Sequence, residues 1–454
     1  MTSTRDAGKF FQTDDSIAEA KRKAGKSRNT NGQPIKLPSK VLAMVADPGA
    51  KSSVYVAESS GLARRVDFVT HSTRHIFTGA SAPLTCLALS TPTNARSAPT
   101  LFAGCWDRTI WSWNTSSRER GVHFRNGHRD FVKCITWTIV GTLSVLISGS
   151  ADTTIVLWDA NSGAKLQVLQ GHSMAVAAIA IDPSLGDEDD DDGTDQGNNT
   201  QMLAKLQAKP RTLFSASARS INQWTIIPTP TNPLSKLMAA ASPDVSGPLT
   251  PSDGTIYALT FPYATTEDPD PDLWLTSADG AILSLSRDDD WSVTETLNTA
   301  EGHHVRTIAI SEDRRFIAAA GRDEDVYVWD MRSGPSASTV KQLPKFDGHF
   351  DEVVSLLILG KGIETRVVSG SLDCTLRTWN LGFIFAPDDA SPEDLDFTNR
   401  LMAGNAFDNA HLIPGGDDPV VGEANPDDIA VHLGVTAEEL HDLNEMLDDG
   451  EFGC

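Results

Sequence analysis

Val145-Leu-Ile-Ser-Gly-Ser-Ala-Asp-Thr-Thr-Ile-Val-Leu-Trp-Asp159 and Val367-Val-Ser-Gly-Ser-Leu-Asp-Cys-Thr-Leu-Arg-Thr-Trp-Asn380 read as one pattern. An apolar strand runs into Ser-Gly-Ser, a spacer, Asp and a turn, and a second strand closes on Trp. Three more segments follow it: Leu101 to Asp107 continuing through Trp113-Asn114, Phe316 to Asp323 through Trp329-Asp330, and Leu213 to Arg219 through Trp224. Gly-His pairs stand ahead of such units at Gly127-His128, Gly171-His172, Gly348-His349 and Gly302-His303. A unit that recurs along a chain is one whose apolar face is buried only against a neighbouring copy.

Gly-His, Asp and Trp-Asp at this spacing resemble the WD-repeat family, in which about 40–45 residues make one four-stranded blade. The resemblance covers roughly residues 34–386 and implies an all-β, seven-bladed propeller. First strands are expected near Val41, Leu84, Phe131, Ala175, Thr255, Val305 and Glu352. Blades one and five are degenerate, with Val66-Asp67 and Leu283-Ser-Leu-Ser286 where Trp-Asp would stand. The last unit ends after its third strand, Leu376 to Leu381, so a strand around Pro34 to Leu37 is expected to complete the ring. Closure leaves no open sheet edge.

The resemblance also implies a buried hydrogen-bond chain in each complete blade. Carried over position by position, it comprises His128, Ser148, Asp152 and Trp158 in blade three, and His349, Ser369, Asp373 and Trp379 in blade seven. A buried Asp needs a partner, and an imidazole N–H supplies one. His, Ser and Asp together also suggest a nucleophilic triad, but a catalytic set occurs once and this one repeats. Blades two, four and six depart from it through Ala103, Ala218-Arg219 and Ala319. His303-His304 lacks further ligands at metal-binding spacing. No phosphate loop or nucleophile elbow stands out. No catalytic residue, cofactor or metal is expected.

A formal net charge of −23 opposes general binding to nucleic acid. No apolar run is long enough to span a membrane. Residues 1–32 lack the apolar core of a secretory signal. The cysteines (Cys86, Cys105, Cys134, Cys374 and Cys454) form no CxxC pair and read as reduced thiols. A cytoplasmic or nuclear protein is therefore expected. Outside the propeller, residues 1–33 read as a flexible arm. Its Lys21-Arg-Lys-Ala-Gly-Lys-Ser-Arg28 is either a nuclear localisation signal or an ordinary basic cluster. Blade four carries insertions at about 185–209 and 228–252. The first holds Gly186-Asp-Glu-Asp-Asp-Asp-Asp192, and the second holds Thr229-Pro, Ser242-Pro and Thr250-Pro, either candidates for proline-directed phosphorylation or ordinary linker residues. Residues 387–454 form an acidic tail, in which Thr436-Ala-Glu-Glu439 caps a short amphipathic helix over 437–447.

Arg108, Arg129, Arg219 and Arg322 fall in or beside the Gly-His and Asp turns, and Arg306 lies just past His303. Either they make a positive funnel for an acidic or phosphorylated peptide, or they pair locally with Asp107, Asp130 and Asp323. Trp329-Asp-Met-Arg332 resembles a box of cullin-RING ligase substrate receptors, in which the Arg engages the adaptor; that resemblance makes Arg332 a partner-binding candidate. The expected function is a non-catalytic protein-interaction scaffold, monomeric within a larger complex. The alternatives are a ligase substrate-recognition subunit and a nuclear chromatin or ribosome-assembly factor.

Overall fold

The computed structural model describes residues 14–91, 98–140, 143–183, 210–227, 239–240, 248–265, 269–299, 302–332 and 340–382. The acidic insertion 185–209, Thr229, Ser242 and the tail 387–454 with its helix 437–447 lie outside these residues.

Seven antiparallel sheets follow one another along the chain, at 41–77, 84–114, 132–169, 176–240, 256–298, 305–347 and 353–380. Each first strand begins within a residue of the position read from the sequence. Blade two has three strands, with bridges Ile110–Phe124 and Trp113–Arg120 where a fourth would run. In blade four, the stretch 228–252 contributes the outer strand: Ala239–Ala240 pairs with Ile226 and Thr225. Blade seven has three strands of its own. Its fourth is β1, Ile35–Lys36, which pairs with Leu376 and Thr375. Leu37 N donates to Cys374 O and Thr378 N to Gly32 O, carrying the pairing past both ends of β1.

The described apolar core divides into seven clusters, each lying between one blade and the next. The cluster joining blade seven to blade one holds Val368 and Leu376 together with Val54, Val66 and Phe68. Ile35 and Leu37 complete it. The chain is thus a closed seven-bladed ring. Trp113, Trp158, Trp224, Trp329 and Trp379 are buried, each in the cluster against the preceding blade. In the degenerate blades the same register position holds Val66, opposite Val54, and Leu285, opposite Leu273. A branched aliphatic keeps these interfaces apolar where Trp is missing.

The glycine of Ser-Gly-Ser has a steric reason. A Cβ on Gly149 would stand 2.7 Å from Cys134 Sγ and from Val176 Cγ1, where blade four packs on blade three. Where a flexible arm was expected, residues 14–26 form a helix, α1 (Asp14–Lys26).

Candidate protein-docking site at the channel mouth

In blade three, His128 Nε2 lies 2.7 Å from Ser148 Oγ, and His128 Nδ1 lies 3.3 Å from Asp152 Oδ2. Trp158 Nε1 donates to Ser148 Oγ at 2.8 Å. In blade seven the matching distances are 2.8 Å for His349–Ser369, 2.8 Å for His349–Asp373 and 3.0 Å for Trp379–Ser369. One proton arrangement satisfies all four groups: Trp N–H to Ser, Ser O–H to Nε2, and Nδ1–H to Asp. It requires a neutral imidazole. Burial pushes both histidines below the ordinary value, outweighing the opposing aspartates. Burial alone would raise Asp152 and Asp373, but hydrogen bonds reverse it, from Thr154 at Asp152 and from His349 and Thr375 at Asp373. Thr154 and Thr375 are members that the sequence pattern did not single out. Their hydroxyls donate to the aspartates at 2.6 and 2.7 Å. Ser148 and Ser369 are fully buried, so no substrate reaches their hydroxyls.

Blade four shows the set without its Asp. His172 and Trp224 both reach Ser215 at 2.7 Å, but His172 Nδ1 is buried without a partner among the described residues. In blade two, where Ala103 stands, Trp113 Nε1 donates to Thr78 O instead.

These buried sets hold the turns of one face. On that face every blade makes the same departure from regular pairing. The register slips at the start of each inner strand, between Val41 and Ala43, Leu84 and Cys86, Val176 and Ala178, Ile256 and Ala258, Val305 and Thr307, and Val353 and Ser355. In blade three, Val132 and Cys134 pair with consecutive residues, leaving Lys133 over. A bulge re-aims the extra side chain. The seven skipped residues are Leu42, Thr85, Lys133, Ala177, Tyr257, Arg306 and Val354. All seven line one central cavity of about 560 Å³. Each lies between a buried Val, Leu or Ile and a small residue, a pattern that recurs elsewhere in these strands and so does not mark them in the sequence.

Lys133 and Arg306 put two cations in this ring. Burial, and then Arg306, lower the Lys133 ammonium, so an anion placed beside it would favour its charged form. Arg306 lies 5.2 Å over the Tyr257 ring. Trp106, 58% exposed, packs at 5.8 Å on Phe131, and both line the same cavity with Glu352. Met174, on the connection into blade four, is 59% exposed.

Arg108, Arg129, Arg219, Arg306 and Arg322 are all exposed, and none makes an ion pair among the described residues. Local pairing with Asp107 and Asp130 does not occur. Asp107 accepts from Thr109 and Trp111, and Asp130 from the Phe131 amide. Only Arg306 of the five lines the cavity; the others stand on the surrounding turns. Arg332 lies elsewhere. Its guanidinium donates to Asp313 O at 2.9 Å, so the side chain implied to engage a cullin adaptor is tied to its own blade.

A family model described as "WD domain, G-beta repeat" matches residues 71–114, 120–159 and 294–330. Each match begins in the outer part of one blade and ends in the third strand of the next, which is why blade seven needs β1. The chain is similar to an uncharacterized WD repeat-containing protein of Schizosaccharomyces pombe, 27% identical over 84% of this chain and 90% of the relative. It is also similar to the nuclear distribution protein PAC1 of Meyerozyma guilliermondii, 24% identical over 62% of this chain and 73% of that one. A CCR4-associated factor 4 homolog of Candida glabrata is 34% identical over 32% of this chain and only 25% of its own length. The protein is a closed seven-bladed β-propeller, and three stretches of it match the WD-repeat model.

Proposed function

We propose that this protein is a non-catalytic scaffold that holds a partner protein by an acidic segment at the channel mouth. The observation that carries this reading is the ring of bulge residues. It aims Lys133 and Arg306 into one cavity, and neither makes an ion pair among the described residues. Trp106 adds exposed apolar area to its lining, the composition expected of a binding hot spot. Arg108, Arg129, Arg219 and Arg322 on the surrounding turns steer an acidic chain toward the mouth.

The test uses tagged full-length protein, wild type and Lys133→Glu/Arg306→Glu, with quantitative identification of what each retains. Partners bound through an acidic segment should drop at least tenfold on the variant, with an unchanged melting temperature. Identical partners at identical abundance would sink the reading.

A further inference from the structure

α1 is held to the ring by charge. From Ile17 to Lys26 it buries no apolar side chain, and only Lys23 and Lys26 are half-buried. Arg22 donates to both carboxylate oxygens of Glu324, at 2.6 and 2.5 Å. Lys26 bridges Glu324 at 3.1 Å and Asp347 at 3.2 Å, and Lys23 lies 3.2 Å from Asp351. The acidic residues belong to blades six and seven. Glu324 sits in a left-handed turn, φ 72°, between Asp323 and Asp325, and is 4% exposed beneath the helix.

Two physical facts follow. A buried carboxylate flanked by two more needs a cation, and the ring itself provides none to Glu324 among the described residues. A helix of this length is marginal alone in water, and its cations, Arg22, Lys23 and Lys26, are themselves partly exposed and open to screening by salt. The notch therefore calls for cations, yet its resident helix has no apolar anchor among the described residues to resist exchange.

We infer that the notch formed by Glu324, Asp347 and Asp351 is a second docking site, opposite in sign to the channel mouth, for a basic helix of a partner protein. α1 is its displaceable resident, and it defines the ligand pattern: cations at the positions of Arg22, Lys23 and Lys26, on one helix face. A partner helix with the same cations and an apolar residue beside them outcompetes α1. The site is independent of the channel mouth, since no residue is shared.

The probe is a fluorescent peptide of residues 12–30, titrated onto full-length protein by polarisation. In wild type the notch is filled, and the peptide binds weakly. In Arg22→Glu/Lys23→Glu/Lys26→Glu the resident is repelled, and the dissociation constant should fall at least tenfold. Adding Glu324→Gln and Asp351→Asn to that chain should abolish the gain. Melting temperatures establish that each variant is folded. As a second readout, amide exchange over residues 14–26 should be slow in wild type and fast in Glu324→Gln. The inference is overturned if the charge-reversed chain binds no tighter than wild type. Equal binding by a scrambled peptide of the same composition, or indifference to the Glu324 and Asp351 changes, overturns it too.

Discussion

Asp373 and Asp323 occupy equivalent turns of blades seven and six, and their surroundings differ. Asp373 accepts from His349, Thr375 and the Phe350 amide. Removing it leaves buried donors unsatisfied, at about 1–3 kcal/mol each. Asp323 has an oxygen buried without a partner among the described residues, and burial raises its carboxyl. Asp373→Ala should therefore lower the urea midpoint clearly, whereas Asp323→Asn should leave it unchanged or raise it. Equal losses at both sites would refute the account. His172 gives the pH signature of an incomplete set. Burial pushes it down to about 4 with no carboxylate opposing. Above about pH 6.5 it is neutral folded and unfolded. Below that, the unfolded chain takes up a proton that the folded chain refuses, so stability falls with pH. Between pH 7 and pH 5 the loss is about 2 kcal/mol from this residue. His172→Asn should remove that part of the slope. Unfolding free energies at the two pH values measure it, and a pH-independent difference between the two chains would show that His172 is not held neutral.

At the level of elements, β1 has only two paired residues, and its weight comes from the side chains it carries. Ile35 and Leu37 lie in the cluster between blades seven and one, the interface that turns a row of sheets into a ring. Leu37→Ala should cost about 2–4 kcal/mol, as for a buried leucine elsewhere. Because this interface closes the ring, its loss frees an edge on each side. Ile363, 72% exposed, is the control: Ile363→Ala should be silent. If the two substitutions shift the melting temperature alike, closure does not depend on β1.

For the whole molecule, a net charge of −23 coexists with cations around one opening that make no ion pair among the described residues. Long-range repulsion of an acidic partner by the chain as a whole is screened at physiological salt, where the Debye length is about 8 Å, while the contacts at the mouth persist. Binding of an acidic segment should still weaken as salt rises, by about tenfold between 50 and 300 mM NaCl, mainly through slower association. Arg306→Glu should flatten that dependence. Association rates at several salt concentrations, by surface-bound kinetics, test it; a salt-independent rate would remove electrostatics from the mechanism.

The repeat, the blade count and the His128–Ser148–Asp152–Trp158 and His349–Ser369–Asp373–Trp379 sets were legible in the amino-acid order. Each is a local pattern, repeated because every blade solves the same burial problem within a few dozen residues. Thr154 and Thr375 were in plain view but lacked meaning until the aspartates were seen to need a further donor. The channel ring required tertiary structure. A strand's alternation assigns a side chain to a face only while pairing is regular, and at Lys133 and Arg306 a bulge breaks it. Nor does the order of residues say that positions from seven blades meet in one cavity. The seat of α1 was hidden for a different reason. The helix docks through its charged face and leaves Ile17, Ala20 and Ala24 exposed, the reverse of what its apolar spacing suggests, and Glu324 lies 302 residues from Arg22, so only folding brings the two charges together.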